Sequence, residues 1–153
     1  MSEETMAVLK TQPRKRKKIA DILLSRGYVS QEQMDYILSL KGKGNKERVG
    51  ILCIKDGIIN DTLLAHALAE QSNKEFVDLS QFEPDDALIS SVPLDLMYRY
   101  QFIPYKKING QLLIAVSDPT NVVGIDEVRL MLDTPIKVVV GAASEIQEIL
   151  KRV

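Results

Sequence analysis

Cysteine and histidine are almost absent from this 153-residue chain, which contains one of each, Cys53 and His66. A single cysteine cannot form a disulfide within the chain, and one cysteine with one histidine cannot complete a four-ligand zinc site. The sequence therefore excludes the disulfide-rich scaffolds of secreted proteins and the small zinc modules.

Long apolar runs are also missing. No stretch approaches the roughly 18 uninterrupted apolar residues that a membrane-spanning helix needs. The N-terminus lacks the positive region followed by an apolar segment that is typical of a signal peptide. We therefore predict a cytoplasmic protein with no direct membrane span. The chain is 45% hydrophobic and 27% charged, which is typical of an ordinary globular domain.

Groups that could carry out catalysis are few. The sequence has no G-x-x-x-x-G-K-[ST] loop, which argues against hydrolysis of nucleoside triphosphates. His66 stands alone in a predicted helix, and Cys53 lies on an apolar helix face, where it is expected to pack as a small core residue. Asp118 follows a predicted strand in a pattern that indicates an Asx turn. We predict that this chain is not an enzyme and has neither cofactor nor metal.

Charge is distributed unevenly although its sum is only −1. Residues 1–71 contain 12 Lys and Arg against 9 Asp and Glu, whereas residues 72–153 contain 8 against 12, so the first half is the better candidate for binding anions. Part of this excess is a basic run at residues 14–18, and we interpret residues 1–17 as a flexible basic leader. Such a run can hold nucleic acid or an acidic membrane surface. Without interleaved aromatic residues it is weak evidence for nucleic acid.

Residues 18–71 are predicted to form two helical hairpins of the same design. In the first, an apolar helical face stops at Gly27, and Ser30 fits a capping box that opens the next helix. The pattern recurs 30 residues later, where Gly57 ends one helix and Asn60 or Asp61 caps the next. The sequence therefore predicts an N-terminal helical subdomain built from a tandem repeat.

Residues 76–153 are predicted to form a small α/β subdomain. Asn109-Gly110 between two apolar runs is a strong β-hairpin signal, because both central residues of a type I′ turn need positive φ. The other predicted elements are a β-type segment at 76–79, helices at 87–92, 94–100 and 122–132, a strand at 136–140, and a helix at 144–152 with Ser144 as its N-cap. The predicted fold class is α+β, with two repeated helical hairpins followed by a small α/β subdomain with an antiparallel hairpin.

The second copy of the repeat resembles a known motif. The resemblance begins at Arg48-Val49-Gly50 and continues through the apolar positions that follow, as far as Gln71. These residues are similar to the motif R-L-G-x-x-L-V-x-x-G-x-I-x-x-x-x-L-x-x-x-L-x-x-Q. This motif occurs in tandem at the N-terminus of type II secretion and type IV pilus assembly ATPases. Residues 76–79 and 115–120 resemble the family's second subdomain, so the resemblance covers about nine-tenths of the chain.

The resemblance implies a ligand or a partner. Members of the mannose-sensitive haemagglutinin pilus type bind cyclic di-GMP with this domain, one motif copy for each half of the ligand. Others use the domain to dock onto an inner-membrane platform protein of the machine. Such motors carry the domain ahead of an ATPase core, and the sequence leaves open whether this chain is a stand-alone copy or a fragment.

The motif positions give the candidate ligand-binding residues. The second copy keeps the motif at most of them: Arg48, Val49, Gly50, Gly57, Leu64, Leu68 and Gln71. The first copy has at the same positions Lys18, Ile19, Ala20, Gly27, Met34, Leu38 and Lys41. The arginine can pair with guanine O6 and N7 or with a phosphate, the leucines can cover the base, and the glutamine can both donate to and accept from it.

The first copy departs from the motif at its polar positions, because Lys18, Ala20 and Lys41 replace Arg, Gly and Gln. Two lost polar contacts would weaken binding by about 30- to 150-fold. Four functions therefore stay open at this point. They are a cyclic di-GMP sensor dominated by the second copy, a ligand-free docking domain, a nucleic-acid binder that uses the basic run, and a small enzyme.

Overall fold

Two pairs of helices open the computed structural model, which describes residues 17–153. The first pair consists of α1 (Ile19–Ser25) and α2 (Gln31–Gly42), and the second of α3 (Val49–Lys55) and α4 (Asp61–Ser72). Each helix of the second pair begins and ends 30 residues after its counterpart in the first. The predicted repeat of two helical hairpins is confirmed.

The two hairpins use the same turns and caps. Gly27 and Gly57 follow the first helix of each hairpin with φ of 73° and 76°, a conformation that favours glycine. The residue after each glycine donates its N–H to the carbonyl five residues earlier, at 3.0 and 2.9 Å. Ser30 forms the predicted capping box with Gln33, and Asn60 accepts the N–H of Leu63 at 2.8 Å.

The hairpins share one apolar core. Its fully buried members include Ile22 and Leu23 from α1, Met34 and Ile37 from α2, and Cys53 from α3. The ion pair between Arg26 Nε and Glu70 Oε1, at 2.8 Å, joins the end of α1 to α4. The four helices therefore pack as a unit and not as two separate hairpins.

A mixed sheet with four helices follows. The elements are α5 (Asp86–Ser90), α6 (Leu94–Tyr100), β1 (Phe102–Ile108), β2 (Gln111–Val116), α7 (Val122–Met131), β3 (Ile136–Val140) and α8 (Ala143–Arg152). The strand order is β1-β2-β3, with β1 antiparallel and β3 parallel to β2. Asn109 and Gly110 both have positive φ, which confirms the predicted hairpin turn. A second apolar core lies between this sheet and its helices.

Three local predictions differ from the structure. The β-type segment at 76–79 forms a single bridge, between Phe76 and Val140, because the Asp78 side chain accepts the N–H of Ser80 and turns the chain. The helix predicted at 87–92 is α5, which begins and ends earlier, at Asp86 and Ser90. Asp85 caps it by accepting two N–H groups. Ser144 is not the N-cap of α8, because the helix already begins at Ala143. The N–H of Ser144 donates instead to the carboxylate of Asp61 at 2.7 Å.

The helical hairpins meet the sheet along α4. Ala65 and Ala69 of α4 pack on Val140, with Phe76 beside them, and His66 stacks on Phe76 with ring centroids 3.7 Å apart. Small side chains let the helix approach the end of β3. The fold class is therefore α+β, as predicted.

Residues 1–16 of the predicted basic leader lie outside the described residues. The division of the chain into 18–71 and 76–153 stays a prediction. Within residues 17–153, no helix is long and apolar enough to span a bilayer.

Candidate functional site

A cleft of about 420 Å³ lies between the second hairpin and the loop that follows β2. Most of its lining is apolar and comes from α3 and α4. The lining residues are Ile19, Arg48, Val49, Gly50, Ile51, Ile54, Asp61, Leu64, Ala65, Leu68, Gln71, Ser117, Asp118, Thr120 and Ala143. A pocket of this size, with a few polar groups on apolar walls, has the character of a small-molecule site.

Arg48 stands at the cleft where the hairpins face the sheet. It is the N-cap of α3, and its side chain is 67% exposed. Its Nη1 donates to Asp118 Oδ2 at 2.8 Å and to Thr120 Oγ1 at 3.3 Å. This contact joins residues 70 and 72 positions apart in the sequence. The cleft therefore has a cation and a carboxylate paired with each other.

The loop after β2 holds Asp118 in place. The N–H of Thr120 donates to Asp118 Oδ1 at 3.0 Å, and the Thr120 hydroxyl is hydrogen-bonded to the same oxygen. These contacts form the predicted Asx turn. Because Oδ1 is engaged by the turn, Oδ2 is presented to the cleft, where Arg48 meets it.

Gly50 explains how the apolar wall is built. A Cβ placed on Gly50 would lie 2.5 Å from Leu64 Cδ1, closer than real side chains approach. The missing side chain therefore lets Leu64 lean on α3 and face the cleft. In the first copy, Ala20 and Met34 occupy the corresponding positions. A flexible methionine side chain can accommodate the extra methyl of an alanine.

Gln71 lines the cleft beside the backbone that leads into α1. Its Nε2 donates to the carbonyl oxygen of Lys17 at 3.0 Å, across 54 residues of sequence. The side chain therefore fixes the backbone just before α1. Ile19, two residues later, is the first-copy residue that lines the cleft.

Asp61 adds a second carboxylate to the lining. Its Oδ2 accepts the N–H of Ser144 in the first turn of α8, at 2.7 Å. Burial raises the pKa of this carboxyl group, but the hydrogen bonds from Ser144 and from the backbone of Asp61 and Thr62 together lower it by more, so the pKa lies below its ordinary value. Asp61 is therefore held in the charged form at neutral pH.

The structure brings six of the seven second-copy candidates together and separates the first-copy candidates. Gly57 lies in the turn between α3 and α4, outside the cleft. Of the first copy only Ile19 reaches the cleft, while Lys18, Ala20, Gly27, Met34, Leu38 and Lys41 lie elsewhere. Met34 is buried in the helical core, and Lys41 Nζ donates to the carbonyl of Glu47 at 2.7 Å.

Sequence reasoning missed several lining residues. The sequence predicts Asp61 only as an alternative helix cap, and Asp118 only as a turn residue. The signal for Asp118 was its position in a segment, 115–120, that resembles the family. Nothing in the sequence indicated that it would pair with Arg48.

Comparisons with known proteins agree with the fold. A family model described as the MshEN domain matches residues 72–153. A solved structure of MshE with cdg, an abbreviation for cyclic di-GMP, is similar with a TM-score of 0.76 and 25% sequence identity, covering 90% of this chain and 99% of that one. A structure of the N-terminal domain of XpsE has the same fold, with a TM-score of 0.69 and 22% identity over 90% of this chain and 97% of that one.

Two curated relatives are type IV pilus assembly ATPases named PilB. The one from Myxococcus xanthus is 23% identical over 135 residues, which are 88% of this chain and 24% of the relative. The one from Thermus thermophilus is 32% identical over 79 residues, which are 52% of this chain and 9% of the relative. The chain thus spans a quarter or less of the length of these relatives.

Proposed function

Because this chain belongs to the MshEN domain family, we propose that it binds cyclic di-GMP in the cleft beside α3 and α4. We further propose that it is a regulatory part of a secretion or pilus assembly motor and has no enzymatic activity of its own. One observation carries the proposal. The six motif residues Arg48, Val49, Gly50, Leu64, Leu68 and Gln71, spread over 24 positions of sequence, line a single cleft.

The polar groups of the cleft fit a guanine base. Guanine offers O6 and N7 as acceptors, which suit a guanidinium such as that of Arg48. It also offers N1–H and an amino group as donors, which suit a carboxylate such as that of Asp118. In the structure these two side chains form an ion pair with each other at 2.8 Å. A guanine bound there can satisfy both groups.

The apolar groups can hold the face of the base. Leu64 and Leu68 lie on the same side of α4, one turn apart, and both line the cleft. Leu64 is buried and leans on Gly50, so its position is fixed by packing. The second repeat copy therefore supplies one half-site for a two-fold symmetric ligand.

The other half of the ligand is expected to be held weakly. Lys18 and Lys41 replace Arg and Gln of the motif, and a lysine lacks the planar fork of an arginine. Lys41 also donates to the carbonyl of Glu47. We expect binding to depend chiefly on Arg48 and its neighbours.

Isothermal titration with cyclic di-GMP at physiological salt tests the proposal. We expect selective binding with a Kd below about 10 μM, and none for GTP or cyclic di-AMP. Arg48→Ala should weaken binding about 30- to 150-fold, because it removes charge-assisted hydrogen bonds. Lys55→Ala is the matched control, since Lys55 is also on α3, is 64% exposed and pairs with Glu47 at 3.0 Å. Equal affinity in the two variants would contradict the site, and no binding by the parent chain would contradict the function.

A second candidate function is docking onto an inner-membrane platform protein, and the surface of α7 favours it. Val123, Leu130 and Met131 are 69%, 86% and 60% exposed on this helix. Exposed apolar side chains grouped on one helix are typical of a protein-binding surface. Leu130→Asp should then abolish capture of the cytoplasmic part of the platform protein. Leu38→Asp, on the exposed side of α2, should leave it unchanged.

A further inference from the structure

Strand β3 lies at the edge of the sheet, and only one end of its outer side is paired. There, Val140 donates its N–H to the carbonyl of Glu75 and accepts the N–H of Val77, both at 2.9 Å. This is the single bridge that Phe76 makes with the strand. Beyond it, the chain turns away into α4.

The remaining outer groups of β3 have no partner in the part of the chain that the structure describes. Alternate residues of a strand direct their N–H and C=O groups to the same side. Val140 faces outward, and Gly141 faces inward, where its N–H donates to Val116 at 3.0 Å. Ile136 and Val138 therefore also face outward, and no other residue of 17–153 hydrogen-bonds to their backbones. Unpaired strand edges of this kind accept an added strand.

The opposite edge of the sheet is protected. Pro104 lies within β1, and the pairing register shifts between Pro104 and Lys106. Both features prevent a further strand from pairing. In contrast, β3 pairs with β2 in regular register over all five of its residues and contains no proline. The two edges therefore differ in their capacity to bind another chain.

The charge beside the open edge selects the kind of strand. A groove of about 370 Å³ on the adjacent sheet face has Lys106 and Lys137 in its wall, against one acidic residue, Glu75. Lys137 is exposed in the middle of the unpaired segment, and Lys74 is exposed nearby. A neutral apolar strand would bury the ammonium group of Lys137 without a partner, whereas an acidic strand would pair with it.

We propose that the outer edge of β3 at residues 136–138 is a docking site for an extended acidic segment of a partner protein. The segment adds a fourth strand to the sheet through the backbone of Ile136 and Val138, and its carboxylates pair with Lys137. This surface is separate from the cleft and from the exposed side of α7.

Amide hydrogen exchange measured by NMR tests this docking site. The probes are two synthetic peptides, (Glu-Val)4 and (Lys-Val)4. In the free chain the amide of Val138 should exchange fast and that of Val139, which faces β2, slowly. At about 1 mM, (Glu-Val)4 should slow exchange at Val138 at least about 10-fold, and (Lys-Val)4 should not.

Two variants connect the effect to the charge at the edge. Lys137→Glu should weaken the binding of (Glu-Val)4 about 5-fold and favour (Lys-Val)4 instead, because the cross-strand pairs become repulsive. Lys46→Glu makes the same charge change in an exposed loop and should have no effect. Equal protection by both peptides, no protection by either, or the same response in the two variants would overturn the proposal.

Discussion

The hydrogen bond from Ser144 to Asp61 gives a direct test of how the hairpins are held to the sheet. Asp61 begins α4, and its carboxylate caps the first turn of α8, 83 residues later in the chain. One carboxylate therefore lies at the N-termini of two helices, where a negative charge is favourable. Asp61→Ala removes both effects without touching either apolar core.

The expected loss follows from known magnitudes for such contacts. Loss of a side-chain cap costs about 1 kcal/mol, and loss of a charge at a helix N-terminus costs about 0.3–1 kcal/mol. Asp61→Ala should therefore lower the free energy of unfolding by about 1.3–2 kcal/mol. Asp61→Asn keeps an acceptor for the N–H of Ser144 and should lose about half as much.

Urea unfolding of the three chains between pH 7 and pH 3 is the assay. The folded pKa of Asp61 lies below its ordinary value, so its contribution is complete above a pH of about 3.9. It is lost as the pH falls through the folded pKa. The difference between the parent chain and Asp61→Asn should therefore be constant near neutral pH and shrink in acid.

Asp56→Ala provides the reference for this experiment. Asp56 is an exposed acidic residue at the end of α3, and its removal should change the free energy of unfolding by less than about 0.5 kcal/mol. If Asp61→Ala were as mild as Asp56→Ala, or if its effect grew in acid, the cap would not stabilise the fold as argued.

Other predictions concern single positions. Gly50→Ala forces Leu64 away from α3 and should weaken cyclic di-GMP binding about 5- to 10-fold in a titration, with partial rescue when Leu64→Met is added; an unchanged Kd would contradict this packing. The Cys53 thiol is buried, which raises its pKa, so a thiol reagent should label it slowly in native buffer and fast in urea. Asn109→Val should cost about 1–2 kcal/mol in urea unfolding because φ is 52°, and Asn109→Gly should cost nothing.

The sequence predicted the elements whose signals are local. Caps, terminal glycines and the hairpin turn depend on one to four neighbouring residues, so Ser30, Gly57 and Asn109 could be interpreted directly. Contacts across the fold could not be predicted in this way. Serine is a residue type that favours the N-cap, yet the N–H of Ser144 donates to Asp61 from another helix. Only the packing of α4 on the sheet brings these two residues together.

The candidate site was likewise predictable only in part. The residues that the repeat motif contributes could be taken from spacing, because one helical hairpin places them on one side. The wall supplied by the loop after β2 could not, since nothing in the sequence relates Asp118 to Arg48. A site between two parts of a chain is predictable only on the side that has its own periodic pattern.

The divergence of the two repeat copies has a structural cause in the environment of their second helices. In α4, Ala65 and Ala69 pack on the end of β3, and Leu68 faces the cleft. The residues 30 positions earlier in α2 are Asp35, Ser39 and Leu38, and all three are exposed.

The first hairpin therefore keeps the apolar residues that fill the shared core. Its side that corresponds to the sheet-facing side of the second hairpin is exposed and free to change. The motif's polar residues are retained in the copy that has the sheet as an opposite wall. This asymmetry favours a ligand held chiefly between the second hairpin and the loop after β2. It also explains why the loss of Arg and Gln from the first copy leaves the fold intact.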